Sequence, residues 1–101
     1  SRLTATRITQ ANVSMTLANT EYSYTFPANT MAWMVKLRAQ NVKLLYAFQT
    51  GTLPTSGTGA NYSTAPQNFL RSIDGIEWSG KTIYVQSDTA SQTLEIEAYQ
   101  L

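Results

Sequence analysis

Cysteine and histidine are both missing from this chain of 101 residues. Without cysteine there is no disulfide framework and no thiolate nucleophile. Without histidine, the commonest zinc and copper ligand and the commonest general base are lost together. Charge is scarce too: Asp, Glu, Lys and Arg make up 13% of the residues, against a usual share of roughly 25%. Seven Lys and Arg face six Asp and Glu, for a net charge of +1. Lys36, Arg38 and Lys43 are the nearest approach to a basic cluster. Three charges do not make the concentrated positive face that phosphate contacts demand, so nucleic acid is not an expected partner. No run approaches the roughly 20 apolar residues that cross a bilayer, so no membrane partner is expected. The polar opening "SRLTATRITQ" does not read as a signal peptide.

Thr, Ser, Asn and Gln fill the place of the missing charge. The length suits one domain with one modest core. Its organisation is legible from hydrophobic period, which is two rather than 3.6. "NVSMTL" alternates Val13, Met15 and Leu17 with polar neighbours, and "EYSYTF" sets Tyr22, Tyr24 and Phe26 on one face. After a Pro27-Ala28-Asn29-Thr30 corner, "MAWMVKLR" puts Met31, Trp33, Val35 and Leu37 inward. "VKLLYAF" then sets Val42, Leu44, Tyr46 and Phe48 against Lys43, Leu45 and Ala47, and the short "AQN" between the two runs predicts a hairpin.

Residues 49–66, "QTGTLPTSGTGANYSTAP", carry loop chemistry throughout and predict no packed strand. So long a loop in so small a domain is usually functional or mobile. "NFLRSID" and "GIEWSG" read as short strands split by an Asp74-Gly75 turn. A second hairpin is expected from "KTIYVQSDTASQTLEIEAYQL", with Ile83, Val85, Leu94, Ile96 and Ala98 inward and Thr82, Tyr84, Gln86, Glu95, Glu97 and Tyr99 outward. The sum is an all-β domain: a small antiparallel β-sandwich or jelly roll of seven to eight short strands.

Catalytic constellations are thin. Glu95 and Glu97 lie two apart on one strand face, about 7 Å between neighbours of that spacing, which is a glycosidase separation. Their expected place is a solvated strand edge, where charge discourages sheet-to-sheet pairing. Asp74, Glu77 and Asp88 match no calcium-loop spacing, and the first and last suit turns. Serine without histidine lacks its usual activating base. An enzyme is not expected, nor a metal or cofactor.

Aromatic residues, 11% of the chain, carry the functional case. Trp33, on an alternating apolar face, reads as core. Trp78 in "GIEWSG" and Tyr62 in "GANYST" sit in or beside turns, where exposure is open to them. With the outward Tyr84 and Tyr99 they suit the core or a protein interface or, less readily, a sugar-binding platform.

The order of these pieces, an aromatic strand into "FPANTMAWMVKLR", a polar loop, "IDGIEWSGKTIYVQS" and a closing "LEIEAY", resembles small virion structural proteins of tailed bacteriophages over Glu21–Tyr99. The resemblance implies a β-sandwich accessory protein, a head decoration or stabilising protein that uses no cofactor. Its partners would be the major capsid or other virion proteins, and its location the virion, assembled in host cytoplasm. The alternative is a carbohydrate- or receptor-binding module on a head fibre or tail. A homo-oligomer is expected, a trimer in preference. Residues 1–12, outside the matching region, are either an attachment arm or the first strand of a domain spanning 13–101. In the arm reading, Arg2 and Arg7 would meet carboxylates of a neighbour.

Overall fold

The computed structural model describes residues 4–55, 59–73 and 75–101. These form eight strands: β1 (Arg7–Met15), β2 (Tyr22–Thr25), β3 (Thr30–Leu37), β4 (Leu44–Ala47), β5 (Ser63–Thr64), β6 (Phe69–Arg71), β7 (Thr82–Ser87) and β8 (Gln92–Gln100). A single 3-10 turn, Pro66–Asn68, precedes β6.

Two antiparallel four-stranded sheets result, ordered β1-β8-β3-β6 and β2-β7-β4-β5. The pairing is nested: β1 with β8, β2 with β7, β3 with β6 and β4 with β5. Further pairing of β3 with β8 and of β4 with β7 completes each sheet. This strand order is that of an eight-stranded jelly roll.

Both expected hairpins are corrected by this topology. β3 and β4 lie in opposite sheets, and so do β7 and β8. An alternating strand buries its apolar side equally well against either sheet, so period two does not distinguish a hairpin from a crossing. The corners do. Asn19, Asn29 and Asn41 and Ser91 all take positive φ (52°, 63°, 61° and 59°) at the β1–β2, β2–β3, β3–β4 and β7–β8 connections. Asn tolerates the left-handed region better than other residues with a Cβ. One such residue per corner redirects the chain out of its sheet.

Between the sheets lie Met15, Phe26, Trp33, Val35, Leu37, Leu44, Ile83, Val85, Leu94 and Ile96, all buried. Trp33 is core, as its alternation predicts. Three apolar residues depart from expectation. Phe48, expected inward with Val42, Leu44 and Tyr46, lies just past β4 and is exposed. Leu17 lies past the end of β1 and is exposed. Met31 is half-buried because the β3–β8 register shifts between Thr30 and Ala32. The irregularity turns Thr30 inward instead, with its hydroxyl donating to Pro27 O at 2.7 Å.

Residues 49–55 pack on the outer face of the β2-β7-β4-β5 sheet. Leu53 is buried there against Leu45, Ala47 and Tyr84. Gln86, expected outward and solvated, is buried beneath the segment and donates to Pro54 O at 3.2 Å. The Glu21 carboxylate holds the near end, accepting from Thr50 Oγ1 at 2.7 Å and Gly51 N–H at 3.0 Å. Contrary to the loop reading, Ser63 and Thr64 pair with Tyr46 and Leu45 as β5. "GIEWSG", by contrast, forms no strand.

Of the two roles open to residues 1–12, residues 7–12 take that of a first strand, within β1. Arg2 and Asp74 lie outside the described residues.

Candidate functional site

The two segments that are most distinctive in sequence meet in space. Phe26 N–H donates to Lys81 O at 2.9 Å, Gly80 N–H to Phe26 O at 3.1 Å, and Asn29 N–H to Ser79 Oγ at 2.7 Å. The Pro27–Thr30 corner is thereby clasped to the turn from Trp78 to Lys81. Gly80 has φ of 72°, which suits glycine at this tight return.

The clasp sets Trp78 inside rather than on the surface. It is 6% exposed, which corrects the expectation of an accessible platform. Trp78, in the turn before β7, packs against the stacked pair of Phe26 and Trp33. Its ring stands edge-on to Phe26 (5.8 Å) and to Trp33 (5.2 Å), while Phe26 stacks on Trp33 at 5.0 Å. Among the described residues, neither the Trp33 nor the Trp78 indole N–H has a hydrogen-bond partner.

Beside this cluster the sandwich is open. β5 has two residues and β6 three, too few to close the sheets along that side. A cleft of about 230 Å³ runs in from there, lined among others by Tyr46, Leu70, Ile73, Ile76 and Trp78. A second depression of about 530 Å³ adjoins it, reaching Lys81, Thr82 and Tyr84. Phe48, Ile76 and Trp78 border both. The rim is apolar and accessible: Phe48 is 47% exposed, Ile76 48% and Ile73 78%.

Among the described residues, the charged side chains along the two depressions are Arg71 and Lys81. Two hydroxyls nearby are already engaged. Ser72 Oγ accepts from Trp33 N–H at 2.9 Å, and Thr82 Oγ1 bonds Thr25 Oγ1 at 2.9 Å. Such a surface offers shape and mainly apolar area, with Arg71 and Lys81 as its charged donors.

Of the residues singled out from sequence, Trp78 and Tyr84 come together here. Tyr62 is exposed before β5, away from the cleft. Arg7 is at the chain ends, donating from Nε and Nη2 to Leu101 O at 3.0 and 2.8 Å. Tyr99 lies on the outer face of the other sheet and donates to Glu97 Oε1 at 2.6 Å. That bond raises the phenol's pKa above its ordinary value, with burial adding to it.

Glu95 and Glu97 are not at a sheet edge: β8 is flanked by β1 and β3. Glu95 accepts from Arg38 Nε at 2.8 Å and stands 3.6 Å from Lys36 Nζ. The Arg38 hydrogen bond holds its carboxyl below the usual range. Glu95 is thus engaged across strands, and Glu97 along its own strand with Tyr99. Among the described residues, no group of three His, Cys, Asp or Glu is placed to hold a metal.

Ile73 and Ile76 went unnoticed in sequence because they belong to no periodic run. The available signal was "FLRSIDGIEW", four large aliphatic or aromatic residues beside Trp78 in a stretch punctuated by turns. No family model, characterised protein or solved structure matches the chain.

Proposed function

We propose that the protein is a non-enzymatic structural component of a bacteriophage particle, decorating or stabilising the capsid, and that it docks through the Phe48–Ile73–Ile76 rim. The setting rests on the resemblance of its sequence motifs. The rim carries the docking: three large apolar residues stand exposed around a mostly apolar cleft. Concentrated exposed apolar surface marks interaction sites on proteins, and aromatic residues are enriched at interface centres. Arg71 and Lys81 favour a partner surface with an apolar knob and acidic surroundings.

The jelly roll suits this role, since it serves in viral capsid domains, but it also serves in lectins, so the fold alone does not choose. The cleft's chemistry argues for protein. A sugar site needs several polar groups converging on the ligand, and the lining here is mainly apolar.

Particles lacking the protein, mixed with the purified chain, provide the test. Wild type should co-sediment with them, and Phe48→Ser with Ile76→Ser should lose that binding while melting cooperatively. Unchanged binding of the folded double variant would overturn the docking face. Saturable glycan binding that tracks the same two residues would move the protein to the receptor-binding class.

A further inference from the structure

The four sheet edges are unequal. β2, β5 and β6 expose four, two and three residues, whereas β1 exposes nine. Its pairing with β8 runs from Arg7↔Gln100 to Met15↔Gln92 without a shift. The strand is thus a straight edge about 30 Å long. Edge strands are normally blunted by Lys, Pro, inward charges or bulges. "RITQANVSM" has no Lys or Pro, its one charge is the terminal Arg7, and that side chain is tied to Leu101. Among the described residues, no backbone hydrogen bond reaches Arg7–Met15 from the side away from β8. Ile8, on the strand's outer face, is 67% exposed.

We infer that β1 pairs antiparallel with β1 of a second copy, joining two four-stranded sheets into one of eight. A strand pairing antiparallel with its own copy is two-fold by necessity, so the assembly is a dimer rather than the trimer expected from sequence. Facing residues must share a face of the sheet, which requires the two-fold axis to pass through a residue rather than between two. With the axis at Ala11, all nine residues are paired. Gln10 then faces Asn12 of the second copy, and Asn12 faces Gln10, so two amide pairs form on the outer face.

The rest of the register is equally tolerant. Ile8 faces Ser14, Thr9 faces Val13, and Arg7 faces Met15, so no like charges meet. The nearest carboxylates on this face belong to β8, where Glu97 is beside Gln10 and Glu95 beside Asn12. Across the joint sheet, Glu97 and Glu95 of the two copies are three strand spacings apart, about 14 Å. That exceeds the screening length of about 8 Å at physiological salt. This neutrality and full overlap point to self-pairing as the occupant of the edge. The inference stands apart from the docking role of the cleft, which lies among other strands.

Because the chain has no cysteine, single substitutions report the register directly. Directly opposed residues in an antiparallel pair have Cα atoms about 4.5–5.5 Å apart, within disulfide reach. Diagonal neighbours, at about 7–8 Å, are outside it. Gln10→Cys and Asn12→Cys are both at exposed positions. An equal mixture of the two variants, oxidised gently, should give a covalent dimer on a non-reducing gel. Each variant alone should give at least several-fold less. Wild type should sediment as a dimer at tens of micromolar. A monomer or a trimer under those conditions overturns the inference. So does cross-linking of either single variant as efficient as that of the mixture.

Discussion

Trp33, from β3, and Trp78, from the turn before β7, meet edge to face with ring centres 5.2 Å apart and planes at 87°. This contact joins two distant parts of the chain at the floor of the cleft. One ring is the comb's central member, and the other is delivered by a segment with no regular structure. Edge-to-face aromatic pairs add about 0.5–1.5 kcal/mol beyond the area they bury.

Replacing either ring should therefore cost stability rather than merely alter the surface. Trp33→Ala should destabilise by about 3–5 kcal/mol, as large-to-small changes do in packed cores, a large share of a typical total of about 5–15 kcal/mol. Trp78→Ala should fall in the same range despite its turn-like sequence context. Urea denaturation provides the measurement. A loss below about 1 kcal/mol for either would show that the ring is not packed as described.

Gly59 and Pro54 supply the second prediction. A Cβ built on Gly59 would lie 2.7 Å from Pro54 N and 2.8 Å from its Cα, too close for any side chain. Pro54 O accepts from Gln86, so moving Pro54 loosens the cover over Leu45 and Ala47. Gly59→Ala should lower the melting temperature and speed amide exchange along the outer side of β7, while Gly51→Ala, with open space but φ of 80°, reports backbone strain alone. Gly59→Ala melting at the wild-type temperature would refute the close packing of this segment on the sheet.

Glu95 provides a pH dependence with a definite direction. Its carboxyl pKa is lowered in the folded protein, first by the Arg38 hydrogen bond. The unfolded value is about 4.3. A depressed folded pKa contributes stability that is fully present above the unfolded value and is lost as pH falls through the folded one. Wild type should therefore melt above Arg38→Ala at pH 7, and the gap should close as the pH falls below about 4. High salt should narrow it as well, because the pair is at the surface. A gap that widens on acidification would show that Arg38 acts through packing rather than through this carboxylate.

Much of the architecture follows from local rules. Period two in "MAWMVKLR" and "TLEIEAY" is sufficient for strands with Trp33, Val35, Leu94 and Ile96 inside, because a pleated strand sends alternate side chains to opposite faces. The missing His and Cys narrow the available chemistry before any fold is known. Asparagines at corners are legible as turn formers. Which sheet each strand joins is not local. β3 and β4 are apolar on one side whether they form a hairpin or face each other across a core, and only the nested pairing of first strand with last selects the second. Trp78 is buried because the chain folds its turn under the Pro27–Thr30 corner, a contact between segments far apart in sequence. The cleft likewise exists because β5 and β6 are short at one side of a finished sandwich. Composition and period determined the strands and their inner faces; long-range pairing decided the jelly roll, the buried tryptophan and the exposed rim.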